Sequence, residues 1–307
     1  MAVDRGRYTC HLGEMRNPRG EAGADVVEVT AMKARELGRR SVVVGDRVAI
    51  VGDVSGRADT LARVVRVEER TSVLRRTADD TDPFERVIVA NADQLVVVTA
   101  LADPPPRPRL VDRCLVAAYD GGLEPVLCLT KSDLSGPEAF LETYRALDVP
   151  HVVLGRGRPL DPLVERLRDR VSVLVGHSGV GKSTMVNALV PGADRATGRV
   201  NAVTGRGRHV SSSAVAFELP SGGWVIDTPG IRSFGVAHID LSRVIRAFPD
   251  LVPGTDECPR GCSHDEPDCG LDEWVRTGHA DADRLESLRR LLRSRDEPDD
   301  AVDRREG

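Results

Sequence analysis

The first quarter of the chain alternates short valine-rich runs with turn residues. Runs at 26–30, 41–44, 48–51 and 61–67 are separated by Gly45-Asp46, Gly52-Asp53 and Ser55-Gly56. Strands this short at this spacing predict a small β-barrel rather than a layered α/β unit. An acidic link at 78–82 ends at Pro83 and marks a boundary.

Beyond it the pattern changes. Apolar runs at 94–100, 125–129, 149–154 and 171–175 alternate with helical periods at 109–120, 137–147 and 160–168, and another helix opens near Lys182. In the first of these helices Leu110, Cys114 and Ala117 share one face. Apolar strands alternating with amphipathic helices predict a mostly parallel sheet with crossover helices. Runs at 215–219 and 223–226, joined by Pro220-Ser221-Gly222, predict a hairpin. After Phe248 come a cysteine-rich knot and a basic helix at 283–295, with Leu285, Leu288, Leu291 and Leu292 on its apolar side. The expected fold class is α/β in three units: a β-barrel at 1–83, a sheet-and-helix domain at 84–247, and a cysteine-rich α domain at 248–307.

Three motifs carry nucleotide chemistry. Gly176-His177-Ser178-Gly179-Val180-Gly181-Lys182-Ser183-Thr184 follows a strand and opens a helix, which is the context of a phosphate-binding loop. Its glycines let backbone N–H groups cradle phosphates at the helix N-terminus, Lys182 reaches the β and γ phosphates, and the Ser183 hydroxyl binds Mg²⁺. Asp227-Thr228-Pro229-Gly230 ends a second strand; there an Asp acts on Mg²⁺ through water and the Gly N–H meets the γ-phosphate. Thr130-Lys131-Ser132-Asp133 follows a third strand and is similar to the N-K-x-D guanine reader, with Thr130 in place of Asn. Its Asp accepts from guanine N1 and N2, and its Lys packs over the purine. The ligand set expected is GTP or GDP with Mg²⁺. An ATPase or kinase in which Thr130–Asp133 is accidental is the enzymatic alternative. An RNA-binding nucleotide switch with little hydrolysis is the other.

In conventional order the phosphate loop comes first and the base reader last. Here the base reader comes first, so the domain reads as circularly permuted, a change that compact domains with adjacent surface termini tolerate. Ile231 stands where Ras-like enzymes place the glutamine that orients water. Slow intrinsic hydrolysis is therefore expected, with His209 the candidate for a catalytic role.

Cys258, Cys262, His264 and Cys269 offer three thiolates and an imidazole within twelve residues, a set suited to one tetrahedral, structural Zn²⁺. The three other cysteines are scattered, which fits a reducing, cytoplasmic setting. No stretch approaches the roughly 18 apolar residues of a membrane span.

The 307 residues are 40% hydrophobic and 30% charged, with a net charge of −5. This excludes a disordered chain and argues against wholesale nucleic-acid binding by net charge. The total hides local contrasts. The stretch 195–209 carries Arg195, Arg199, Arg206 and Arg208 with no acidic residue, and the C-terminal helix is basic. Among the 43 basic residues only Lys33, Lys131 and Lys182 are lysine. Two of them fall in nucleotide motifs, where a compact ammonium suits better than a guanidinium fork.

The chain resembles the RsgA family of circularly permuted, small-ribosomal-subunit-dependent GTPases over nearly its whole length. The resemblance rests on Gly45-Asp46-Arg47-Val48, Ala90-Asn91-Ala92-Asp93-Gln94, the phosphate loop, Gly205-Arg206-Gly207-Arg208-His209 and the nine residues 227–235. It implies an OB-fold at 1–83, a permuted GTPase at 84–247 and a zinc domain at 248–307. It also implies GTP hydrolysis stimulated by the small ribosomal subunit late in its maturation, contacts to ribosomal RNA, and release after hydrolysis; a monomer with no membrane partner is expected. Departures from the family pattern are Val210-Ser211-Ser212-Ser213 in place of a threonine run, Leu154-Gly155-Arg156 in place of the usual Ser-Ala beside the base, and a zinc knot shortened in two spacings.

Overall fold

The computed structural model describes residues 3–4, 6–12, 27–38, 42–77, 85–193, 214–229, 235–236 and 239–296. The N-terminal part is a five-stranded sheet of β1 (Val3–Asp4), β2 (Arg7–Leu12), β3 (Val27–Lys33), β4 (Val48–Gly52) and β5 (Ala62–Val67), in the order β1-β2-β3-β5-β4. Period two turns Ala62 and Val64 of β5 inward, and an irregularity in the pairing with β4 shifts the phase so that Val67 is the next buried residue; all three pack with Val29 and Ala31 of β3, while Arg63 and Arg66 are exposed.

Two segments here escape a hydrophobicity reading. Strand β2 is polar apart from Tyr8, Cys10 and Leu12, and only Cys10 is fully buried. Within the run expected at 41–44, the described residues 42–44 form no strand. The buried Asp46 carboxylate accepts the Val43 N–H at 2.8 Å and pairs with Arg70 at 2.7 Å, turning the chain so that only Val44 bridges, to Val89. β6 (Val73–Arg76) and β7 (Arg86–Ala90) form an antiparallel pair, so the expected boundary at 83/84 falls between two paired strands.

The central sheet has the order β10-β9-β8-β11-β13-β12. Its strands are β8 (Gln94–Ala100), β9 (Glu124–Thr130), β10 (His151–Val153), β11 (Val171–Gly176), β12 (Val215–Glu218) and β13 (Trp224–Asp227). All pairings are parallel except β12 with β13, as the sequence predicts. Every residue of β8 is buried because both faces are covered. Leu95 and Val97 face the cluster built on α1 (Pro108–Gly121). Val96 and Val98 face the cluster of α3 (Asp161–Leu167) and α4 (Lys182–Leu189). α2 (Glu138–Tyr144) follows the base motif.

The C-terminal part comprises α5 (Leu241–Val244), α6 (Gly270–Arg276) and α7 (Ala282–Asp296). Leu285, Leu288, Leu291 and Leu292 of α7 join the same core cluster as Leu110 and Val111 of α1, so this helix is packed into the central domain. Arg284, Arg289 and Arg290 of this helix are half-buried against the fold, while Arg293 is exposed. Arg284 donates to the Ala146 carbonyl at 2.7 Å and Arg290 to the Thr143 carbonyl at 2.8 Å. Arg289 holds the His264 carbonyl at 2.8 Å and Asp272 at 2.7 Å, and Arg293 pairs with Asp265 at 2.7 Å. From the other side the buried Arg113 of α1 donates to the Ser294 carbonyl in the last turn of α7, where a cation favours the helix dipole. The basic helix expected from sequence is thus a strut whose charges are largely matched within the fold. Among the described residues no helix is long and apolar enough to cross a membrane.

Candidate functional site

Parallel strands present their carboxyl ends at one edge, and every nucleotide motif follows such an end. Thr130–Asp133 leaves β9, residues 154–156 leave β10, the phosphate loop leaves β11, and Asp227 closes β13. The register aligns Gly176 with Val98, Thr130 with Ala100, and Asp227 with Leu174. Chain order therefore matters little, since any permutation that keeps the strands parallel keeps these loops together, at the edge where α/β sheets bind ligands.

In the phosphate loop Gly179 and Gly181 have φ of +84° and +94°, a region that side-chain-bearing residues rarely adopt, and α4 starts at the next residue. The loop's amides are thereby gathered at a helix N-terminus. Lys182 is 7% exposed; its ammonium pairs with the Asp227 carboxylate and donates to the Thr228 carbonyl. The Thr228 hydroxyl is itself fixed on the Leu174 carbonyl at 2.7 Å. Ser178, Ser183 and Thr184 are exposed at the mouth of the loop. Ser183 follows Lys182, whose ammonium pairs with Asp227, and hydroxyl and carboxylate oxygens are hard donors of the kind that fit Mg²⁺. His177 lies against the Ser178 carbonyl at 2.8 Å.

The base motif is joined to this loop. Thr130, 7% exposed, donates its hydroxyl to the Val180 carbonyl at 2.6 Å. Lys131 sits at φ +58°, and its ammonium donates to the Asp103 carbonyl. The Ser132 N–H donates to the Leu154 carbonyl at 3.1 Å. Asp133 is exposed, and its Oδ1 accepts the Arg156 N–H at 2.9 Å. That N–H is the largest influence holding the Asp133 carboxyl below the usual range, with the Arg156 and Lys131 charges contributing. Asp133 is thus an ionised acceptor at neutral pH.

The carbonyls of Asp103, Val180 and Thr228 have no sequence signal, because every residue type carries a backbone oxygen. Of the expected site residues, Gly230 and His209 lie outside the described residues, as do Ile231, the serines 211–213 and the arginine-rich stretch 195–209.

The second cluster is the cysteine knot. Cys258 Sγ lies 3.8 Å from Cys269 Sγ and 3.6 Å from His264 Nδ1, and all four ligand atoms fall within 4.8 Å of one another. Tetrahedral zinc with bonds of about 2.3 Å to sulfur places two sulfurs about 3.8 Å apart, so the cage has the right size despite its shortened spacings. The His264 backbone N–H donates to Cys262 Sγ at 3.3 Å, and the Glu266 carboxylate accepts from the same thiol at 3.3 Å.

The family model described as RsgA GTPase matches residues 67–237. The small ribosomal subunit biogenesis GTPase RsgA of Chlorobaculum parvum is 41% identical over 271 residues, covering 85% of this chain and 87% of that protein. The protein of the same name from Gemmatimonas aurantiaca is 38% identical over 267 residues, covering 85% and 86%. Among solved structures, YjeQ from Thermotoga maritima aligns with a TM-score of 0.62 and 25% identity over 93% of this chain and 94% of that one. YloQ, a circularly permuted GTPase, shares the fold with a TM-score of 0.62 at 22% identity, covering 96% and 97%. Permuted motif order, sheet topology and this extent of identity agree: the chain belongs to the RsgA family of GTPases.

Proposed function

We propose that this chain hydrolyses GTP in the maturation of the small ribosomal subunit. The observation that carries it is the convergence of Asp133, Lys182 and Asp227 on one sheet edge, in a chain 41% identical to a small ribosomal subunit biogenesis GTPase. Asp133 reads guanine N1 and N2, which disfavours the ATPase or kinase alternative. The amides of Ser178–Ser183 and the Lys182 ammonium receive the phosphates, and Lys182 exchanges the Asp227 carboxylate for phosphate oxygens when nucleotide enters. Mg²⁺ held by Ser183, and by Asp227 through water, would neutralise charge on the β and γ phosphates. Water then attacks the γ-phosphorus, giving GDP and phosphate, with the Gly230 N–H on the γ-phosphate. Ile231 offers no polar atom to orient that water, which leaves the task to His209 or to a group from the partner.

In this reading the GTP form associates with the subunit, the subunit stimulates hydrolysis, and the GDP form leaves. Residues 1–83, as an OB-fold, and the zinc-bearing part at 248–307 contact ribosomal RNA around the GTPase at 84–247. The protein acts as a cytoplasmic monomer. The test is GTP turnover by the full chain with and without purified small subunits. Turnover several-fold higher with subunits is expected; no increase would remove the subunit-stimulated part. Comparable turnover of ATP would remove the guanine assignment.

A further inference from the structure

Strands β6 and β7 straddle the expected boundary at 83/84, and their antiparallel register sets Arg76 directly opposite Arg86. Directly opposite residues share a face of the sheet, so two guanidinium side chains stand side by side, and like charges so placed disfavour the pair. The neighbouring Arg75 is neutralised by Glu85 at 3.0 Å. Arg76 is not. Among the described residues it has no ion pair and no side-chain hydrogen bond, and the charge that acts on it is Arg86. Arg86 is exposed and keeps interactions of its own.

Arg76 is also half-buried. Burial first, and the Arg86 charge second, push its pKa down, so no opposite charge offsets the loss of water. A partly desolvated cation beside a like charge lowers stability, and an oxyanion arriving from outside would remove both penalties. The next residue ties the place to the nucleotide site. The Thr77 N–H donates to the Gly235 carbonyl at 3.3 Å, so the arginine pair adjoins the end of the segment that starts at Asp227. The acidic link at 78–82, which joins the two strands, lies outside the described residues.

We propose that Arg76 and Arg86 form an anion-binding seat that takes backbone phosphates of the small subunit's RNA. The inference rests on the small-subunit reading above. A guanidinium fork donates to two phosphate oxygens at once, and it is more weakly hydrated than an ammonium, so partial burial costs it less. Two forks side by side call for a ligand with repeated charge, which a phosphate backbone supplies at regular spacing and a lone carboxylate does not. The contact reads no base. It positions RNA beside the residues that follow the nucleotide site.

The test is binding of the full chain, loaded with a non-hydrolysable GTP analogue, to purified small subunits over a range of KCl concentrations, together with thermal melting. Wild type, Arg76→Gln and Arg76→Lys are compared. Arg76→Gln is expected to melt no lower than wild type, since it removes a repulsion and breaks no ion pair. It should bind subunits about tenfold more weakly, and the slope of log affinity against log salt should fall by about one. Arg76→Lys keeps the charge without the fork, so it should restore the salt slope and only part of the affinity. A lower melting temperature for Arg76→Gln overturns the proposal, because the arginine then has a counter-ion within the chain, such as the acidic link. Unchanged affinity and slope overturn it as well. Weaker binding with an unchanged slope assigns the contact to a protein of the subunit and removes RNA phosphate as the ligand. If wild type itself fails to bind subunits, the small-subunit reading falls and the seat loses its ligand with it.

Discussion

Thr130 and Val180, fifty residues apart in the chain, are joined by a 2.6 Å hydrogen bond from the threonine hydroxyl to the valine carbonyl. The bond fastens the base reader to the phosphate loop, so the two halves of the nucleotide site keep a fixed separation. Replacing Thr130 by Val retains the shape and removes the donor, leaving a buried carbonyl at a cost of about 1–3 kcal/mol. We expect Thr130→Val to weaken GDP binding about tenfold and to lower the melting temperature. Thr130→Asn, which restores a donor, should recover most of both in the same titration and melt.

Lys182 pairs with Asp227, and in the function proposed above it exchanges that carboxylate for phosphate oxygens. Removing a preorganised cation from a site of developing charge costs about 10²–10³ in rate. Lys182→Ala is therefore expected to lower subunit-stimulated turnover by at least about a hundredfold. Single-turnover measurement at saturating GTP separates this from weaker binding.

Asp112 of α1 is buried, and desolvation pushes its carboxyl up to about 6 despite the Arg290 guanidinium nearby. Arg290 Nε lies 3.3 Å from Asp112 Oδ2, an attraction that burial outweighs. Between about pH 4 and pH 6 the folded state keeps a proton that the unfolded state has lost, so stability falls as pH rises through that window. A shift of about two units corresponds to about 3 kcal/mol. Urea unfolding at pH 4.5 and pH 7 should show Asp112→Asn gaining on wild type at the higher pH. A pH-independent difference between the two proteins would refute the assignment.

Four ligand atoms spaced for zinc should hold one equivalent per chain. Elemental analysis of the native protein is expected to find about one zinc, and Cys258→Ser less than half of that. The variant should also melt at a lower temperature, because Leu271, beside the knot, belongs to the core shared with α7.

Arg289 links that knot to the strut helix through the His264 carbonyl and Asp272. Asp272 is half-exposed and screened by water, so Arg289→Ala should cost about 1 kcal/mol in stability. Because this guanidinium is engaged inside the fold, its loss should leave affinity for small subunits unchanged. A large drop in subunit binding with normal melting would show that Arg289 faces RNA instead.

Much of the fold was legible because its strongest signals are local. Strand β8 and the hairpin β12–β13 follow from continuous apolar runs and a turn. The helices α1, α2, α3, α4 and α7 fall where the sequence places them, whereas the short α5 and α6 are not predicted. The misses are equally physical. The 41–44 run looks like a strand, yet the Asp46 carboxylate captures the Val43 N–H, a competition that hydrophobicity does not register. β2 pairs through its backbone while burying one cysteine, and backbone pairing leaves no mark on side-chain pattern.

By itself the sequence determined which residues could do chemistry. The spacing of Lys182 and Ser183 behind glycines, Asp133 behind an apolar strand, and three cysteines around His264 are local facts, set by how far a backbone reaches in a few residues. Only the tertiary structure decided what those residues meet. It gathered motifs written in permuted order because parallel strands share one carboxyl edge. It gave Thr130, Lys131 and Lys182 carbonyl partners that no side chain announces, and it engaged Arg284, Arg289 and Arg290 of the C-terminal helix within the fold. Each of these depends on contacts between distant segments, whose geometry is fixed by packing of the whole core and not by any short stretch of chain.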